Sequence, residues 1–100
     1  MIGYDYMHSG IDSNGLEYIC FMIEPERLDG YGLRNARAVN IIIDNLRQRT
    51  TVYTFNWVHG TPHDFVKVKT LTDEIITDSE VPALMKRLGI KIEGSENDGC

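Results

Sequence analysis

The sequence predicts an α+β fold: a small, mostly antiparallel sheet in the order β-β-α-β-β-α, with two helices packed on one face. Three observations lead there. Ser13-Asn14-Gly15 is a turn signal between two apolar stretches, because Asn and Gly adopt positive φ at low cost. The run Leu33 to Arg49 repeats apolar residues at three- and four-residue spacing. Val81, Leu84, Met85 and Leu88 form an i, i+3, i+4, i+7 stripe between Ser79 and Gly89.

Taken in order, the first strand is expected over Ile2 to His8 and its hairpin partner over Leu16 to Ile23. Pro25 ends the second strand by removing a ladder donor. Leu33, Ala36, Val39, Ile43 and Leu46 then mark one face of a long helix. Ile41-Ile42-Ile43 is β-branched and suits a strand as well. The length of the segment, with its two alanines and four arginines, favours the helix. Thr51 to His59 alternates, with Tyr53, Phe55 and Trp57 on one face, where a covering helix is expected. Gly60-Thr61-Pro62 breaks that strand. Phe65 to Leu71 sets Val66 and Val68 on a buried side against Lys67 and Lys69 on a wet one. A short strand over Ile75 to Thr77 follows. In the final helix Ser79 is the expected N-cap, Pro82 falls in the first turn and Gly89 is the stop. Ile90 and Ile92 suit a brief edge strand.

One hundred residues form one domain, long enough to bury roughly two-thirds of its unfolded surface without a disulfide or metal staple. Residues 1–92 are expected to be that compact domain and 93–100 a disordered polar tail ending in Cys100. Apolar content of 42% with 25% charged residues is ordinary for a globular protein. No apolar run approaches a membrane span, and no basic-then-apolar leader opens the chain, so a cytoplasmic location is expected. Cys20, inside an apolar strand, reads as a small buried hydrophobe rather than a nucleophile.

The net charge of −5 is unevenly spread. Residues 1–32 hold six acids and one base, whereas 33–49 hold four arginines and one aspartate. The acidic total argues against general nucleic-acid affinity, but Arg34, Arg37, Arg47 and Arg49 leave room for one basic patch. His59 and His63 are separated by Gly60 and Pro62 and so cannot share a helical face as paired metal ligands do. No Ser/His/Asp ordering and no convergent carboxylate pair stands out. No catalytic residue, metal or cofactor is therefore assigned.

Ile23-Glu24-Pro25-Glu26-Arg27-Leu28-Asp29-Gly30-Tyr31-Gly32 places a glycine turn between a strand and the expected helix. Arg27, Gly30 and Gly32 match the Arg/Gln-x-x-Gly-x-Gly/Ala pattern of the GNAT acetyltransferases, and the stretch resembles their phosphate-binding loop. The resemblance implies that loop amides and the helix N-terminus would hold the pyrophosphate of an acyl-CoA.

Three functions remain in view. The expectation is a small non-enzymatic interaction or regulatory module that binds another protein, through Tyr31, Arg34, Arg37 and Arg47; an exposed sheet edge also suits a homodimer. The alternative is a minimal acyl-CoA-binding acetyltransferase using Arg27, Gly30 and Gly32. The second alternative is a single-strand nucleic-acid binder, with the aromatic stripe as a stacking platform.

Overall fold

Alternation of apolar residues in Glu17–Met22 sends Ile19 and Phe21 to one side of a strand and Tyr18, Cys20 and Met22 to the other. The two long central strands, Arg34–Asp44 and Arg49–Val58, repeat this two-sided division. The computed structural model describes residues 8–24 and 27–91. All but the last residue of the strand expected over Ile2–His8, Pro25, Ile92 and the tail 93–100 lie outside the described residues.

The strands are β1 (His8–Ile11), β2 (Glu17–Met22), β3 (Arg27–Leu28), β4 (Arg34–Asp44), β5 (Arg49–Val58) and β6 (Thr61–Thr72). Among the described residues a single 3-10 turn over Asp78–Glu80 leads into one helix, α1 (Val81–Leu88). The sheet runs β1-β2-β4-β5-β6, every neighbouring pair being antiparallel. β3 pairs with the start of β4, on the same flank as β2. Ile23 bridges the two by donating its amide to the Arg37 carbonyl at 2.9 Å. The topology is therefore a meander of consecutive hairpins. Among the described residues no helix is long and apolar enough to cross a membrane.

This overturns the two-helix α+β arrangement. The segment read as a long helix is β4, the hairpin turn at residues 45–48 and the first residue of β5. The physical reason lies in its position. β4 is a central strand, with Ile41 set between Ile19 of β2 and Val52 of β5. A strand buried on both faces carries apolar residues on both, so its apolar positions are dense enough to satisfy a helical period too. The misleading members are the ends of the series. Leu33 and Leu46 are both exposed, Leu46 at 89%.

Two cores result. Ile19, Phe21, Val39, Ile41, Val52 and Leu71 face α1 and meet its Val81, Leu84 and Met85, together with Ile76. On the opposite face Cys20, Ala38 and Phe55 are buried, with Tyr18, Met22 and Trp57 packed against them. The row Tyr53, Phe55 and Trp57 thus lies away from the helix that was expected to cover it. Ala36 and Ala38 stand opposite Trp57 and Phe55, small residues across from large rings. Their helix propensity is overridden by this packing.

The helix itself follows the sequence. Val81, Leu84 and Met85 are buried, and Pro82 sits in the first turn. Gly89 closes it in the left-handed region at φ 72°, with the Ile90 amide on the Met85 carbonyl at 2.9 Å. Its start differs. Thr77 and Glu80, rather than Ser79, organise the N-terminus: the Glu80 carboxylate accepts the Thr77 amide at 2.9 Å. Ile75 to Thr77 is not a strand but the link that delivers α1. Thr50 Oγ1, fully buried, donates to the Glu74 carbonyl at 2.7 Å and pins that link to β5. Arg87 grips the Glu74 carboxylate with two guanidinium bonds of 2.7 and 3.0 Å.

Candidate binding surface

The Arg27–Gly32 stretch is the upper part of the β3–β4 hairpin. The Asp29 amide donates to the Leu33 carbonyl at 2.9 Å, and the Gly32 amide donates to the Asp29 carbonyl at 3.1 Å. Asp29 Oδ1 accepts the Tyr31 and Leu33 amides at 2.8 and 2.9 Å. Gly32 takes the left-handed residue of this three-residue loop, at φ 80°. The inward amides that a phosphate would need are therefore spent on the chain's own carboxylate. No helix follows to add its dipole.

The same turn occurs earlier. Asp12 Oδ1 accepts the Asn14 and Leu16 amides at 2.9 and 3.0 Å, and Gly15 stands at φ 80°. Asp-x-x-Gly-Leu at 12–16 and at 29–33 is one hairpin signature used twice. Spacing alone could have exposed it, since the two pentapeptides share three residues in register.

The two turns at this end of the sheet lean together. The His59 ring contacts the Asp29 carboxylate, and the Gly60 amide donates to the Arg34 carbonyl at 2.9 Å. Asp29 is held below the usual carboxylate range by the Leu33 amide first, then by the Tyr31 amide and His59.

Of the residues read from sequence as a binding surface, Tyr31 and Arg34 lie at this end, beside Arg27, Gly30 and Gly32 of the expected acyl-CoA loop. The Tyr31 side chain is 87% exposed. Arg37 lies further along β4, on the face that carries α1. Arg47 is elsewhere: it lies past the far end of β4, about 34 Å from Arg34 at ~3.4 Å per strand residue. Its guanidinium and amide both bind Asp44, at 2.9 and 3.1 Å, which makes it part of its own turn. These two contacts hold the Asp44 carboxyl low.

β6 supplies what sequence reading missed. Among the described residues it is an edge strand, and residues 61–69 are exposed on both of its faces. Val66 and Val68, expected to be buried, are 58% and 37% exposed, and Phe65 is 53% exposed. The reason is the length of α1. Eight residues make a helix of about 12 Å, which covers Leu71 but not the far half of a twelve-residue strand. Phe65 stacks on Phe55, with ring centroids 4.7 Å apart, and meets Tyr53 edge-on at 6.5 Å. Beside Val68 a hollow of about 420 Å³ opens at the end of α1, walled by Ile23, Glu24, Arg37, Thr54, Ile90 and Lys91.

His63 contacts Thr61 and His59 contacts Asp29, so both rings belong to turn structure. Among the described residues no group of three or more His, Cys, Asp or Glu is placed to hold a metal. Burial pushes the Cys20 thiol up to about 11, away from a reactive thiolate. Comparison with known proteins found no matching family, no similar curated protein and no similar solved structure.

Proposed function

We propose that this chain is a small interaction module that takes a partner protein along the open edge of β6, with no chemistry of its own. One observation carries the reading: nine consecutive residues of an edge strand, 61–69, stand exposed and include Phe65, Val66 and Val68. An unpaired edge offers a row of backbone donors and acceptors to an extended segment, and exposed apolar side chains on both faces add burial. Pro62 and the register shift after Thr54 limit how far such pairing extends on one side, and the shift after Val52 makes Val68 an extra residue that a partner strand bypasses as β5 does. The usable stretch is Phe65 to Lys69.

The test is site-specific photocrosslinking in the native cell from positions 66 and 68, with position 46 on the opposite end as control. A discrete partner from 66 and 68 but not 46 is expected. That partner, purified, should protect the 65–69 amides from hydrogen exchange. Equal labelling from all three positions, or protection elsewhere, sinks the reading.

A second reading has one observation in its favour. Tyr53, Phe55, Trp57 and Phe65 share the face without α1, and Arg49 and Lys67 border it beside Tyr53. Such a row supports stacking of single-stranded bases. It predicts a salt-sensitive oligonucleotide shift that weakens when Arg49 and Lys67 become Ala. The net charge of −5 and the near-complete burial of Phe55 weigh for the protein partner.

A further inference from the structure

The pattern of side chains on β6 specifies the chemistry of what it binds. Opposed residues in an antiparallel pair share a face. Val66 stands opposite Thr54 and Lys69 opposite Val52, so both lie on the α1 face. Lys67 stands opposite Tyr53, and Phe65 stacks on Phe55, so both lie on the aromatic face. Each face therefore presents an apolar side chain followed by a lysine. On the α1 face the hollow continues this sequence, with Ile23, Val68 and Ile90 as its apolar part and Arg37 and Lys91 as its cations. Among the described residues Glu24 is the one carboxylate on its wall. Arg37, Lys67 and Lys69 take part in no ion pair among the described residues.

Resting on the strand-edge reading above, we infer that the partner segment is extended and blocked in composition: two adjacent apolar residues, which meet Phe65 and Val66, joined to a pair of acidic residues, which meet Lys67 and Lys69. An alternating segment fits less well. It would place all its acids on one face and all its apolar residues on the other, whereas β6 offers one of each to both. The remainder of the chain is acidic, so the cations here form a local feature that steers a negatively charged segment to this edge.

The probe is a blocked, fluorescein-labelled ten-residue peptide with Ile-Val followed by Glu-Glu at its centre. Two companions carry Lys-Lys in place of Glu-Glu, or the same residues in alternating order. The Glu peptide is expected to bind saturably in anisotropy titrations and to protect the 65–69 amides. The Lys and alternating peptides should bind at least tenfold more weakly. The double variant Lys67→Glu, Lys69→Glu should reverse the preference between the Glu and Lys peptides while melting within a few degrees of the parent. If the three peptides bind alike and protect 65–69, the chemistry inferred here is wrong and the edge reading stands. If none protects 65–69, both fall. A concentration-dependent dimer that Val66→Lys dissociates would assign the edge to a second copy of the chain and overturn the inference.

Discussion

Asp29 does locally what a bound anion would do from outside. Its carboxylate gathers two amides of its own turn, and its position between Leu28 and Gly30 is the departure from a phosphate loop that matters. The glycines divide accordingly. Gly32 is needed for its positive φ, whereas Gly30 has ordinary backbone and open space where a Cβ would sit. Gly32→Ala should cost about 1 kcal/mol in denaturant unfolding, and Gly30→Ala should stay within about 0.5 kcal/mol. A working anion cradle would be sensitive at both. Asp29→Asn keeps the acceptor and should melt close to the parent, while Asp29→Ala should melt lower. Cys20 is a residue-scale case of burial overriding chemistry. In a Cys100→Ser background its thiol should resist a disulfide reagent at pH 8 in the folded protein and react promptly in denaturant.

At the scale of elements, β4 and α1 show how local signals succeed or fail. α1 was legible because stripe, proline and closing glycine all agree. β4 was not, because its propensities conflict: two alanines and two arginines speak for a helix, while Val39 and Ile41-Ile42-Ile43 speak for a strand. Pairing with β2 and β5 resolved the conflict, and that pairing is not a property of the segment. The link between β6 and α1 is held by the buried Thr50 hydroxyl as well as by the Arg87–Glu74 pair. Thr50→Val keeps the volume but leaves the Glu74 carbonyl without its partner, and should destabilise by about 1–3 kcal/mol in chemical unfolding. Met85→Ala empties the centre of the helix contact and should cost about 2–5 kcal/mol. If Met85→Ala proves neutral, α1 does not hold the sheet in the way described.

The described residues form a slab of 43 × 36 × 20 Å, one sheet with one helix on part of one face. Its carboxylates give it a definite pH response. Asp29, Asp44, Glu74 and Glu80 are all held low, by the Leu33 amide, the Arg47 guanidinium, the Arg87 guanidinium and the Thr77 amide respectively. A carboxyl whose folded value is depressed adds stability that is complete above its unfolded value, near ~4. That stability is lost as pH falls through the folded values. Melting temperature should therefore be flat from pH 7 to about 5 and drop below ~4. A profile that rises on acidification would contradict these contacts.

The sequence alone determined the pieces whose signals are local: the hairpin turn at Ser13-Asn14-Gly15, the alternating strand through Tyr53, Phe55 and Trp57, and a helix closed by Gly89. It also confined the charge to blocks, and so the cations to a few places. Only the tertiary structure decided that residues 34–44 are a strand, that the aromatic row faces away from α1, and that Phe65, Val66 and Val68 are left open. Those three outcomes depend on which strands pair and how much sheet an eight-residue helix can cover. Both are set by contacts between residues far apart in the chain, to which local periodicity is blind.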